Sequence, residues 1–410
     1  METPTLIEPR DAHDVVDAIR DVARSHGALQ VCGAGSKDGV GGVVQATHRL
    51  DLTALRGVID YAPSELVITA RAGTALEEIE TLLASEDQML AFEPMDYGPL
   101  SGAAPGRATL GGVLAANTSG PRRIASGAAR DHFLGFEAVS GRGESFKAGG
   151  RVVKNVTGYD LPKLMCGSWG TLAVLTEVTI KVVPRARTAA TVLIAGLADP
   201  DAAAAMSRAM GSSAVITGAA HLPARVTQSI PVPKLASAGT SVTALRLEGF
   251  GPSVAARIES LRLLCSQFGP VAVADDDDTR ALWRFVRDAG PFAGDDRALW
   301  RISVAPMDGW KVAADVQDAA ADWFFDWAGG LVWLAVPAGG DACASVIHQS
   351  ASRLGGHATL VRAPVPVRNA VGGFPRQAAG VAALCQRVKS MFDPDGILNP
   401  GRMAIAQHPS

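Results

Sequence analysis

A chain of 410 residues, 48% hydrophobic and with a formal net charge of -3, can bury a large core and divide into two or three domains. That balance gives no electrostatic footprint for nucleic acid or an anionic membrane. The longest apolar run, Ala189 to Ala198, is too short to cross a bilayer, and the N-terminal METPTLIEPRDAHDVV has no apolar core, so a soluble cytoplasmic protein is expected.

In chain order, Asp11 to Ser25 carries Val15, Val16, Ile19 and Val22 at helical spacing, with Gly27 as its stop, and Ala28 to Cys32 reads as a strand. Leu66 to Arg71 is a second strand. A second helix starts at Thr74, where Thr74 and Glu77 have the spacing of a capping box and Leu76, Ile79, Leu82 and Leu83 form the buried stripe. LGFEAVSGRGESFKAGG after Phe133 and Leu172 to Val183 read as strands, and Pro184 closes this half. Beyond Thr191, short strands such as Ala214 to Thr217 and Thr243 to Leu247 alternate with helices such as Val254 to Phe268, whose Val254, Ile258, Leu261 and Cys265 share a face. The pattern predicts an α+β fold with an antiparallel sheet. The acidic run Asp275 to Asp278 reads as a solvated loop, and Val381 to Met391 as an amphipathic helix followed by turns at Asp393 to Gly396 and Asn399 to Gly401.

Three separated glycine-rich segments carry the chemistry. The first, VCGAGSKDGVGG, has Gly33-x-Gly35 after a strand. The dinucleotide fingerprint then fails, because Asp38 stands where its third glycine belongs and Gly39, Gly41 and Gly42 prevent the helix. What remains is a nest of backbone N–H groups able to hold a diphosphate. The second segment is Pro105 to Asp131 and the third Val152 to Lys181. Three segments converging on one ligand imply FAD more than a mononucleotide.

With order, spacing and motif content in agreement over about residues 1 to 185, the chain resembles the FAD-binding family named after vanillyl-alcohol oxidase and p-cresol methylhydroxylase. The resemblance implies a two-subdomain FAD-binding domain over 1–185, an α+β cap or interface domain over 186–380, and a segment 381–410 that returns to the FAD domain. By the same resemblance, Gly33, Ala34, Gly35, Ser36 and Lys37 form the first pyrophosphate loop, and Thr109, Leu110, Gly111 and Gly112 the TLGG segment. Asn117, Thr118, Ser119 and Gly120 continue that segment, and Gly127, Arg130 and Asp131 flank the flavin, with Asp131 pairing with or orienting Arg130. Gly170, Thr171, Ala173 and Val174 match a later turn, where Ala173 replaces the usual glycine. Covalent members of the family commonly place a histidine in the first loop, whereas this loop has Ser36 there, so the resemblance implies non-covalent FAD.

The run KNVTGYDLPKLMCGSWGTLAVLTEVTIKVVP and the segment FDPDGILNPGR resemble the 2-hydroxy-acid branch of that family, and most closely its small FAD-binding subunits of bacterial glycolate oxidases. This implies a larger FAD-binding subunit and an iron–sulfur subunit as separate chains, a small 2-hydroxy-acid substrate, and membrane attachment, if any, through those partners. Catalytic relatives carry GHxGDGNxH, whose histidines hold a divalent metal; this chain lacks the motif, so no metal is expected. Its five cysteines, Cys32, Cys166, Cys265, Cys343 and Cys385, show no CxxC spacing and read as buried hydrophobes. His357 reads as a surface or strand histidine before it reads as a base, and Arg362 as a surface arginine before a carboxylate grip. Trp283, Trp300, Trp310, Trp323, Trp327 and Trp333 fill a core or cover an interface, and Trp323 to Trp327, placed on a helix, is the interface candidate. Three readings stay open: a glycolate dehydrogenase subunit inactive alone, a stand-alone 2-hydroxy-acid dehydrogenase, and a scaffold without flavin.

Overall fold

The computed structural model describes residues 3–151 and 158–403, so the opening of the third glycine segment, 152–157, lies outside the described residues. The chain forms two compact units. One comprises the described residues of Met1–Thr118, Gly127–Arg185 and Gly372–Ser410, the other Ser119–Ser126 and Ala186–Val371.

In the first unit, strands β1 (Thr5–Ile7) and β2 (Leu29–Cys32) both run parallel to β3 (His48–Asp51) between them. The helix Ala12–Arg24 covers this sheet with Val15, Val16, Ile19 and Val22. Asp11 starts the helix, its carboxylate accepting from the backbone N–H of His13 (2.8 Å) and Asp14 (2.9 Å). The left-handed residue at its end is His26 (φ +51°) and not Gly27, whose N–H closes the turn on the Val22 carbonyl at 2.9 Å. A second sheet contains β4 (Val58–Ala62), β5 (Val67–Arg71), β7 (Phe133–Ser140), β8 (Ser145–Gly149) and β9 (Ala173–Lys181), antiparallel in the order β4-β5-β9-β7-β8. A short pair, β6 (Gln88–Met89) and β10 (Val183–Pro184), completes the unit. The capping box does not form at Thr74. Its hydroxyl donates to the Arg71 carbonyl at 2.7 Å and accepts from the Gly57 N–H at 2.9 Å, and the helix begins after Ala75.

The last described segment completes the first sheet. Leu398 bridges Leu29 in parallel, with Leu29 N–H donating to Ile397 and Asn399 N–H donating to Leu29, both at 2.8 Å. The helix Ala379–Phe392 precedes it, and Lys389 donates to the carboxylate of buried Asp393 and to the Thr171 carbonyl.

The second unit is one antiparallel eight-stranded sheet in the order β14-β11-β13-β12-β16-β17-β15-β18. Its strands are β11 (Thr188–Ala195), β12 (Gly218–Leu222), β13 (Val242–Gly249), β14 (Val271–Ala274), β15 (Ala298–Ser303), β16 (Asp322–Asp326), β17 (Leu331–Val336) and β18 (His357–Arg362). The expected strand at Ala214 to Thr217 starts instead at Gly218. The acidic run is also no loop: Asp275 caps the helix Asp276–Arg287 through the Asp278 N–H, and Asp276 to Asp278 occupy its first turn, where negative charge meets the positive end of the helix dipole.

The tryptophans correct a further expectation. Trp323 to Asp326 lie in strand β16, with Phe324 and Phe325 buried and Trp327 buried just after it. Successive residues of a strand point to opposite faces, and Phe324 and Phe325 are both buried, so this run is covered on both faces within the chain itself. Trp283, Trp300 and Trp333 are also buried. Trp300 Nε1 donates to the Ala342 carbonyl at 2.9 Å, and Trp283 Nε1 to Thr191 Oγ1 at 2.9 Å.

Candidate functional site: a backbone cradle in the first unit

The loop after β2 turns sharply because two glycines permit it. Gly35 adopts φ +74°, and a Cβ at Gly33 would lie 2.2 Å from Thr109 Oγ1. The loop carbonyls are held from behind: Arg402 Nη1 donates to the carbonyls of Lys37 (3.2 Å), Asp38 (3.3 Å) and Val40 (2.8 Å). Burial pushes the Arg402 guanidinium below its ordinary pKa, with Asp38 opposing that shift. Asp38 is also paired with Arg49 at 2.8 Å. With its carbonyls so engaged, the loop has backbone N–H groups at Ala34, Gly35, Ser36 and Lys37 that face no acceptor among the described residues. Unpartnered amides in succession are a nest for an anion.

Lys37 adds a cation. Desolvation pushes its amine down to about 8, against the pull of Asp96 and Asp38, and the amine sits 5.5 Å from the Tyr97 ring centre. A phosphate placed beside this amine favours its charged form and opposes the desolvation.

Two further segments line the same cavity. Thr109 caps the short helix Leu110–Ala116, its hydroxyl accepting from the Gly112 N–H at 3.3 Å, and Gly111, Gly112, Ala115 and Ala116 present a wall of small side chains. Opposite lie Ser168, Trp169, Gly170, Ala173 and Leu175. Trp169 N–H donates to the Ala115 carbonyl at 2.9 Å, joining the two walls. Asn399 closes the cavity: its side-chain oxygen accepts from Val31 N–H at 2.8 Å and its amide donates to the Trp169 carbonyl at 2.9 Å.

Of the residues expected from sequence, the structure gathers Gly33, Ala34, Gly35, Ser36, Lys37, Thr109, Gly111, Gly112, Gly170 and Ala173 around this one cavity. Leu110 and Val174 are instead buried in hydrophobic cores. Asn117 and Thr118 end the helix, Thr118 bonding back to Val113. Ser119 and Gly120 belong to the second unit, where Gly120 accepts from Trp327 Nε1 at 3.0 Å. Thr171 Oγ1 donates to the Ser168 carbonyl at 2.7 Å. Gly127 turns the chain at φ +84°, and Asp131 caps the next turn by accepting from the Ala128 N–H at 2.9 Å. Among the described residues no ion pair joins Asp131 to Arg130, whose side chain is exposed and whose N–H donates to Asn117 Oδ1 at 3.2 Å. The carboxylate is already spent on the backbone.

Sequence reasoning missed Val31, Cys32, Asp38, Leu52, Ala72, Ala115, Ala116, Ser168, Trp169, Leu175, Asn399 and Arg402. Asn399 and Arg402 lay within FDPDGILNPGR, read for its turns and its family resemblance but not for residues that line the cavity. Burial pushes the Cys32 thiol up to about 12, which makes it inert. Among the described residues no group of histidines, cysteines and carboxylates could hold a metal. Arg362 donates to the carbonyls of Arg297 (2.9 Å) and Phe292 (3.0 Å), a structural role.

An anion nest with a desolvated lysine and two walls of small residues fits the diphosphate and planar ring of a dinucleotide. Residues 4–149 match the family described as FAD binding domain, and 376–403 match that described as FAD linked oxidases, C-terminal domain. Glycolate oxidase subunit GlcE of Escherichia coli (strain K12) is 36% identical over 376 residues, covering 92% of this chain and 92% of that protein. This chain belongs to the GlcE family of FAD-linked oxidoreductases. Its cofactor is FAD. A shorter similarity links this GlcE-family chain to glycolate oxidase subunit GlcD of Bacillus subtilis (strain 168), 41% identical over 85 residues, or 21% of this chain and 18% of that one. The fold is that of p-cresol methylhydroxylase, whose substrate-bound structure superposes with a TM-score of 0.73 over 98% of this chain and 88% of that chain at 14% identity. Among the described residues no helix is long and apolar enough to cross a membrane.

Proposed function

We propose that this chain is the FAD-binding small subunit of a glycolate oxidase, contributing to oxidation of glycolate to glyoxylate and passing electrons onward through a larger FAD-binding subunit and an iron–sulfur subunit. The observation that carries the reading is the amide nest at Ala34 to Lys37, in a chain similar to GlcE along nearly its whole length. The cofactor, when bound, supplies a two-electron acceptor. The amides of Ala34 to Lys37 and the Lys37 amine would hold its diphosphate, while Gly111, Gly112, Ala115 and Ala116 would admit it by their small size. Trp169 and Asn399 fix the opposite wall.

The FAD is held without a covalent link, since Gly33 to Gly42 contains no histidine. Acid precipitation should therefore release all flavin, and flavin retained in the washed pellet contradicts this. The chain acts within a complex in the cytoplasm, at the membrane only through partners, and turns over poorly alone. The deciding assay is glycolate-dependent dye reduction by the purified chain, with and without the partner subunits. Robust turnover by the single chain overturns the subunit reading.

A further inference from the structure

The helix Ala379–Phe392 is uncharged all round over its first two turns, yet it lies bare. No charged residue occurs from Gln377 to Gln386, and no aspartate or glutamate from Ala342 to Phe392. An apolar stripe runs its whole length through Val381, Leu384, Cys385, Val388, Met391 and Phe392, at spacings of three and four. Towards the end of the helix Val388 and Phe392 pack on the core of the first unit, and the Phe392 ring lies 5.8 Å from that of Phe146. Towards its start the same stripe has no core beneath it: Val381 is 51% and Leu384 52% exposed, and Met391 at the stripe's edge is 69% exposed. No residue from Gln377 to Arg387 is buried. A helix without a charged face is built to be covered.

The charges beside the stripe decide what covers it. Arg387 neighbours Leu384 and Met391 on the helix surface and is exposed, as is Arg376 just ahead of the helix. Arg142 donates from Nε to the Met391 carbonyl at 3.1 Å. Among the described residues none of these three cations is paired with a carboxylate. Lys389, on the other flank, is spent on Asp393 and on the carbonyls of Thr171 (2.6 Å) and Leu398 (3.0 Å). A second copy of the chain is a poor cover, because a two-fold pairing of the helix with itself sets cation against cation with no acid to answer. A bilayer is also a poor cover: an interfacial helix carries lysines and arginines along its polar face, and here that face is Ala382, Ala383, Gln386 and Ser390. An apolar groove rimmed by carboxylates, on another protein, matches both the stripe and the cations.

We propose that the helix Ala379–Phe392 docks into an acid-rimmed apolar groove of the larger FAD-binding subunit, with Val381, Leu384 and Met391 as its anchors. The identity of the partner rests on the glycolate oxidase reading. The test is calorimetric titration of the FAD-loaded full chain with the purified larger subunit at low and high salt. Leu384→Glu exchanges one good helix former for another, so flavin absorbance and the thermal transition should stay as in the wild type while binding weakens about tenfold or more. Arg387→Glu should also weaken binding and flatten its salt dependence. Leu263→Glu, at an 80% exposed residue of the second unit, should leave it unchanged. If Leu384→Glu does not fold, Val381→Glu carries the same test, because an acid in the first turn favours the helix dipole. Undiminished binding by a folded Leu384→Glu chain overturns the docking surface and leaves the subunit reading standing. A wild-type chain that does not bind the larger subunit overturns both. A wild-type dimer in sedimentation, or flotation with phosphatidylglycerol vesicles, that Leu384→Glu abolishes assigns the helix to a second copy or to lipid and overturns the proposal.

Discussion

Lys37 makes FAD affinity a function of pH. Its amine is pushed to about 8 in the protein from an ordinary 10.5, chiefly by desolvation. Without cofactor, the folded chain sheds this proton as pH rises through 8 while the unfolded chain keeps it, so the apo protein gains stability between pH 8 and 10.5. A bound diphosphate reverses the shift, because an adjacent dianion favours the charged amine. Binding above pH 8 must then take up a proton, and affinity falls as pH rises. If the diphosphate restores the ordinary value in full, association weakens about thirtyfold between pH 7 and 9.5, an upper limit because solvent at the cavity mouth screens the charge. Calorimetric FAD titrations in buffers of different ionisation enthalpy measure affinity and proton uptake together. Lys37→Met should bind more weakly at pH 7 and show neither the slope nor the uptake. A flat wild-type profile, or an equal slope in Lys37→Met, refutes this account.

Other expectations follow from contacts around the cradle and in the second core. Arg402→Met removes three bonds to loop carbonyls and should lower stability by about 2 kcal/mol in denaturant titration and reduce flavin occupancy after purification. Gly33→Ala should lose FAD because its methyl meets Thr109 Oγ1. Combining it with Thr109→Ala, which removes the atoms at 2.2 and 2.8 Å and leaves the Thr109 Cβ at 3.1 Å, should restore part of the flavin absorbance. Trp300→Ala should cost about 3–5 kcal/mol, read from the thermal transition, by opening a core cavity and stranding the Ala342 carbonyl. A charge at Phe324, fully buried, should unfold the second unit, so the Phe324→Asp chain is expected in the insoluble fraction.

Much of the first unit was legible because its signals are local. The helix Ala12–Arg24 follows from a period in its own residues, and the loop at Gly33 to Lys37 from a strand that ends in glycines. Asn399 and Arg402 were not legible as site residues, since each acts on backbone more than 360 positions earlier in the chain. Nothing in NPGR states which carbonyls it will meet. Trp323 to Trp327 was misplaced for a different reason: a run apolar at every position fits a doubly buried strand as well as a helix, and length and neighbours have to decide. Asp275 to Asp278 shows that charge alone does not separate a loop from a helix N-terminus. Asp131 was expected to orient Arg130, yet a nearer backbone N–H, that of Ala128, claims it.

The dependence of the Gly33 loop on Arg402 has a consequence for biosynthesis. A ribosome adding about 5–20 residues per second exposes the loop long before it makes the residue that holds those carbonyls back. The nascent chain can build the helix Ala12–Arg24 early, but β2 lacks its neighbour at Leu398 until the far end emerges. Cofactor loading is therefore a late event, gated by arrival of residues 397–402 and not by synthesis of the domain that bears the glycines. A chain stalled or clipped before that point would be nearly full length, partly folded and colourless.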